Sequence, residues 1–121
     1  MYNNDNVFAK IIRGEIPSRR VCENDFALSF YDNDPVSDVH VLVVPKGPYQ
    51  NLFDFTTHAS RDEQDGFWKC VHDTAAAVGC VDACNIMANV GDGTFFVQTV
   101  PHFHLHIIAG KKLKELSEIA K

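Results

Sequence analysis

From Pro101 to Ile108 the chain alternates imidazole and apolar side chains: His102, Phe103, His104, Leu105, His106, Ile107. Successive residues of a strand face opposite sides. The pattern therefore predicts a strand over 102–108 with three histidines on one face. Phe103, Leu105 and Ile107 then fill a core on the other. At a rise of about 3.3 Å per residue, neighbouring histidines stand ~6.6 Å apart. Three of the six histidines in the chain lie in this stretch, which makes a chance pattern unattractive.

Two chemistries suit such a row. A neutral imidazole can attack phosphorus while a neighbour holds the nonbridging oxygens. The attacking ring needs one nitrogen with a lone pair and the other pinned as a donor. Alternatively, His102, His104 and His106 could bind zinc together. Spacing alone does not separate these two, and a solvated strand face without a task is the third reading.

The 121 residues suffice for one ordinary domain. With 45% hydrophobic and 22% charged residues, a soluble globular protein is expected. The apolar run Val41 to Val44 is far too short to span a membrane. A net charge of -5 argues against broad nucleic-acid binding but not against a mononucleotide. The start, Met1 to Asp5, is polar and shows no signal-peptide pattern, so a cytoplasmic location is expected. Cys22, Cys70, Cys80 and Cys84 then read as reduced thiols, and none forms a Cys-x-x-Cys pair.

Elsewhere, Val7, Phe8, Ile11 and Ile12 predict a short helix stopped at Gly14. Arg20 to Glu23 and Ala27 to Tyr31 predict two strands around a turn at Glu23-Asn24-Asp25. Asp32 to Asp38 reads as a loop, and His40 to Val44 as a strand covered on both faces. Ser60 and Glu63 have capping-box spacing and open the longest helix, with Phe67, Val71, Ala75 and Val78 on one face and Gly79 at its end. Asn85 to Val90 predicts a further strand. In the tail, Leu113, Leu116 and Ile119 suggest a short helix. This order favours an α+β domain with a mainly antiparallel sheet.

The run from His102 to Ile108 matches the signature of the histidine triad (HIT) family. Val7 to Pro17 resembles that family's N-terminal segment. Phe30-Tyr31-Asp32, Pro35 and His40 to Lys46 resemble its nucleoside-binding strand, loop and next strand. Asn89-Val90-Gly91 and Gln98-Thr99-Val100 resemble the approach to the triad. Length and spacing resemble most the small Hint branch, the histidine triad nucleotide-binding proteins. The likeness covers residues 5–110 of a single domain spanning 1–121.

The resemblance implies a five-stranded antiparallel sheet with one long and one short N-terminal helix, dimerising into a ten-stranded sheet. It implies a purine nucleotide-binding hydrolase of nucleoside phosphoramidates or related α-phosphate bonds. His104 would be the nucleophile, His106 would contact the α-phosphate, and His102 and His40 would support the network. Asp32 would accept from the ribose hydroxyls, and Phe8, Ile16 and Phe30 would form the base slot. Asn89, Gln98 and Thr99 would donate to phosphate oxygens, and Thr99 would also help protonate a departing amine. Neither cofactor nor metal is implied: Asn6 and Ala9 stand where zinc-bearing relatives carry cysteines. Alternatives are dinucleoside polyphosphate hydrolysis and a catalytically weak nucleotide-binding module. The chain departs from the family at Val97, usually Gly, and in a turn from Asn89 to Gln98 that is two residues longer, with Thr94, Phe95 and Phe96 adding bulk.

Overall fold

The computed structural model describes residues 1–115. It begins with helix α1 (Val7–Ile12), whose N-cap Asn6 accepts from the Ala9 amide. Strands β1 (Arg20–Glu23) and β2 (Ala27–Tyr31) follow. Asn24 shapes the turn between them: its Oδ1 accepts from the amides of Phe26 and Ala27 at 2.8 and 2.9 Å. Next come β3 (Ser37–Pro45), α2 (Leu52–His58), α3 (Arg61–Ala77), β4 (Asn85–Met87) and β5 (Leu105–Lys112). The sheet has the order β1-β2-β3-β5-β4, antiparallel throughout. The expected α+β fold with a five-stranded antiparallel sheet is therefore present.

Alternation along the central strands divides the core in two. Ala27, Val43, Leu105 and Ile107 face α2 and α3, where Phe55, Phe67 and Phe103 meet with ring centroids 5.0 to 5.2 Å apart. Leu28, Phe30, Leu42 and Val44 face the other way, against Phe8 and Ile11 of α1. Val41 to Val44 are buried on both faces, as their β-branched run predicts. Helix α3 starts at the expected capping box, with Ser60 and Glu63 bonding each other's backbone. Its buried face centres on Phe67, Cys70 and Thr74, while Val71 and Val78 pack at the margin. The shift has a polar cause: Thr74 Oγ1 donates to Ser29 Oγ on β2 at 2.7 Å. Past α3, Gly79 takes a φ of 75°, which suits glycine at a helix end.

Four expectations change. Strand β5 begins at Leu105 rather than His102, because the His102 and Phe103 amides bond the carbonyls of Val100 and Tyr49 instead of a ladder. Strand β4 stops at Met87 rather than Val90, since its pairing with β5 ends at His106. Strand β3 starts at Ser37, paired with Lys112 at the far end of β5, which shortens the loop read over Asp32 to Asp38. Lys111 and Lys112 are thus strand rather than tail helix, and the Leu113 and Lys114 amides bond the Val36 carbonyl. Residues 116–121, where that helix was expected to continue, lie outside the described residues. Helix α2, capped by Asn51, was not read from the sequence. Among the described residues no helix is long and apolar enough to cross a membrane.

Phe67 joins α3 to both other rings of the aromatic cluster. Phe67→Ala is expected to lower stability by about 3–5 kcal/mol, read from urea unfolding midpoints.

Candidate active site

The ladder between β3 and β5 pairs Leu42 with His106 and His40 with Ile108. Directly paired and diagonal residues of a ladder share a face. His40 and His106 are therefore both on the α1 side. His104 and His102 continue along the same side just before β5, while Phe103 joins the aromatic cluster opposite. All four histidines are buried, none more than 2% exposed.

Each ring has a partner that fixes its protons. The Val36 amide donates to His40 Nδ1 at 3.2 Å, so the proton of His40 sits on Nε2. That nitrogen lies 2.9 Å from His106 Nδ1 and 3.4 Å from Asp32 Oδ2. The shorter contact is the hydrogen bond, so His106 accepts through Nδ1 and carries its proton on Nε2. His104 Nδ1 lies 2.7 Å from the His102 carbonyl and must donate to it. Neutral His104 then has its lone pair on Nε2. Its ring centroid is 5.2 Å from that of His106. A lone pair and an N–H thus stand on adjacent rings, the pairing that attack on phosphorus with support of its oxygens demands.

His102 is held between two groups. Its Nε2 donates to the Pro45 carbonyl at 2.8 Å, and its Nδ1 lies 2.6 Å from the Tyr2 hydroxyl. Burial lowers its pKa from the ordinary 6.5 to about 4, outweighing the opposing bond to Pro45, with His104 adding to the drop.

Beside the rings an apolar cleft of about 60 Å³ is lined by Val7, Phe8, Phe30, Leu42, Asp32 and Asn33, among others. Phe8 contacts the Phe30 and His104 rings at 5.6 and 4.8 Å between centroids. Ile16 packs at the edge of the same apolar cluster but does not line the cleft. Asp32 is buried, and its Oδ1 accepts from the Asp34 amide.

The turn from Asn89 to Gln98 closes through Gln98 N to Gly91 O at 2.9 Å and a bridge between Asp92 and Val97. A Cβ on Gly93 would come within 2.6 Å of the Phe96 carbonyl oxygen, so only glycine fits that approach. Phe95 is 84% exposed and does not fill the cleft. Asn89 is half-buried and Thr99 exposed at the two ends of this turn. Gln98 commits both amide protons inside the protein, to Gln50 O at 2.7 Å and Val100 O at 2.9 Å.

Among the described residues, metal-ligand spacing occurs at Asp32, His40 and His106, not along the triad itself. The hydrogen bonds oppose a metal there. Ligation through His40 Nε2 would move its proton to Nδ1, which already faces the Val36 N–H. Sequence reading missed Tyr2, the Val36 amide and the Pro45 carbonyl. The backbone groups carry no residue-type signal, and Tyr2 reaches His102 across nearly the whole chain.

Residues 13–113 match the family model of the HIT domain. The chain belongs to the HIT family. An uncharacterized HIT-like protein of Azospirillum brasilense is 40% identical over 113 residues, covering 93% of this chain and 91% of its own. A HIT family hydrolase from Clostridium thermocellum is similar at a TM-score of 0.74 and 26% identity, over 93% of this chain and 96% of its own. A histidine triad nucleotide-binding protein from Candida albicans is similar at 0.74 and 28%, over 89% of this chain and 76% of its own. This HIT protein thus shares the fold of hydrolases and nucleotide-binding proteins.

The lowered pKa of His102 gives its stability a pH dependence of definite sign. Between its unfolded value near 6.5 and about 4, the unfolded chain binds the proton and the folded one does not. Stability therefore falls as pH drops through that window, and His102 accounts for about 3 kcal/mol between pH 7 and pH 4. Urea titrations at several pH values should show the loss, and His102→Gln should flatten that part of the slope.

Proposed function

We propose that this HIT protein is a purine nucleotide-binding hydrolase of the Hint branch that cleaves nucleoside 5′-phosphoramidates at the α-phosphate. The observation that carries the reading is the His104 tautomer, with Nδ1 donating to the His102 carbonyl and the lone pair left on Nε2. In the first step Nε2 attacks phosphorus and the P–N bond breaks. The departing amine takes the electron pair and a proton that the Thr99 hydroxyl relays from solvent water. In the second, water attacks the nucleotidyl-histidine, the P–N pair returns to Nε2, the water's proton passes back to solvent through the same Thr99 hydroxyl, and the nucleoside monophosphate leaves. His106 Nε2–H holds a nonbridging oxygen, its orientation set by His40. His102 supports His104 through its carbonyl.

Phe8 and Phe30 grip the base, with Ile16 behind them, and Asp32 accepts from the ribose hydroxyls with the lone pairs that Asp34 leaves. The cleft is well below the ~300 Å³ at the low end of ligand pockets. A bound nucleoside would therefore lie partly outside the cleft, beyond the lining formed by Phe8 and Asn33. Asn89 and Thr99 supply donors to phosphate, and Gln98 joins them once it exchanges one of its internal bonds. A homodimer with a ten-stranded sheet fits β4, which lies at the sheet edge with only β5 beside it among the described residues and has Ile86 half exposed. A cytoplasmic location belongs to the same reading, and Cys22, Cys70, Cys80 and Cys84, none of them in a disulfide, accommodate it.

The committed amide of Gln98 favours one second reading, a module that binds nucleotide with little turnover. Dinucleoside polyphosphates are the alternative substrates for the same site.

Adenosine 5′-phosphoramidate offered to the purified protein should yield AMP at a rate that chelators do not change. His104→Ala should reduce kcat by more than about a thousandfold, as expected for loss of a nucleophile. Calorimetric AMP binding without turnover of any phosphoramidate or dinucleotide would replace the hydrolase with the binding module. A separate expectation concerns the ribose: Asp32→Asn should raise KM for the phosphoramidate about tenfold or more, the scale of one charge-assisted hydrogen bond.

A further inference from the structure

We infer that Tyr2 is a positioning residue for the reaction, fixing His102 and, through the His102 carbonyl, the ring of His104; this rests on His104 being the nucleophile. The polarity of every bond in the relay follows from its neighbours. Asn6 Oδ1 accepts from the Ala9 amide at 2.9 Å, which fixes the side-chain amide's orientation. Its Nδ2 therefore faces the Tyr2 hydroxyl, also at 2.9 Å, and donates to it. The Tyr2 oxygen is thus an acceptor from Asn6, and its own O–H donates to His102 Nδ1 at 2.6 Å. His102 Nε2 faces the Pro45 carbonyl oxygen at 2.8 Å and so carries the ring proton. With His102 neutral, as its lowered pKa keeps it near pH 7, no other assignment satisfies all four contacts.

The consequence reaches the nucleophile. With its ring pinned at both nitrogens, His102 cannot rotate, and its carbonyl holds the His104 proton on Nδ1 at 2.7 Å. The same relay ties α1 to the triad, because Asn6 is the N-cap of α1 and Phe8 of that helix lies against both His102 and His104. Tyr2 also stacks edge-on against His102, with centroids 5.6 Å apart, so the ring places the hydroxyl. The titratable groups facing His102 are Tyr2 and His104; β3 presents the Pro45 carbonyl and α1 the Phe8 ring.

Tyr2→Phe keeps the ring and removes the donor. The hydroxyl stabilises neutral His102, so its loss raises the pKa of that ring. The expected result is a kcat about five- to tenfold lower, the worth of one hydrogen bond, with KM within about twofold. The acid limb of the kcat profile should move toward neutrality. In protein labelled with nitrogen-15 histidine, the His102 Nδ1 resonance should move as well. Asn6→Asp is the second variant. It keeps an oxygen for the Ala9 amide but turns the Tyr2 hydroxyl toward a carboxylate, so it should shift the limb and the resonance the same way. An acid limb and a resonance that match the unsubstituted protein in both variants, whatever happens to stability, would overturn the inference. A displaced resonance with unchanged kcat would overturn it too, by confining the bond to structure. If the unsubstituted protein turns over no phosphoramidate, the hydrolase reading fails on its own, and the resonance still decides whether Tyr2 holds His102.

Discussion

The antiparallel ladder between β3 and β5 is the contact on which the remaining geometry depends. Its register sets Leu42 opposite His106 and His40 one diagonal step away. A slip of one residue would send every side chain to the opposite face. His106 would then meet the aromatic cluster, and Ile107 the imidazoles. Val43 and Leu105, directly paired, lie in that cluster with Phe55, Phe67 and Phe103. The packing on one face of the sheet thus holds the register that assembles the chemistry on the other. The rings of the aromatic cluster lie on the opposite face from the histidines, yet the order of the histidines relies on them.

Burying four imidazoles is costly unless their nitrogens are matched. Here backbone groups do much of the matching. The Val36 amide makes His40 an Nε2 donor, and the His102 carbonyl makes His104 an Nδ1 donor. The Pro45 carbonyl does the reverse for His102. Such groups are fixed by strand pairing and turns, and they cannot change their donor or acceptor character. The tautomers are therefore set by the fold, before any ligand arrives. His102 shows the electrostatic side of this: burial holds it neutral down to about pH 4.

Much of this was legible in the sequence, for reasons that can be named. A period of two is a local property, and it assigned Phe103, Leu105 and Ile107 to one side and the histidines to the other even where β5 had not yet begun. The Ser60 and Glu63 capping box is likewise local. Asp32 and His40 were legible only through resemblance, since an acid in a loop and a histidine near a strand start are ordinary on their own. Helix α2 escaped because it has two turns and its apolar residues, Leu52, Phe53 and Phe55, include an exposed Phe53 that breaks the helical stripe. The start of β5 escaped because the amides of His102 and Phe103 find partners in Val100 and Tyr49, which only the folded chain brings near. Tyr2 escaped for the same reason, with 100 residues between it and His102.

The elements around the histidines divide into two kinds. The imidazoles are held by paired strands and by backbone groups, where a displacement would break several bonds at once. The apolar cleft and the 89–98 turn are held by less. Helix α1 has six residues and is tied down by Asn6 and the apolar contacts of Phe8 and Ile11. The turn is closed by the Asp92–Val97 bridge and by Gln98, which bonds Gly91 through its backbone and Gln50 and Val100 through its side-chain amide. The turn forms a small hairpin with a close backbone approach at Gly93, and Phe95 lies in solvent. The exposed Phe95 therefore leaves the buried imidazoles undisturbed. Changes in α1 or the turn can alter what enters, while the order of donors and lone pairs along the triad stays as the sheet dictates.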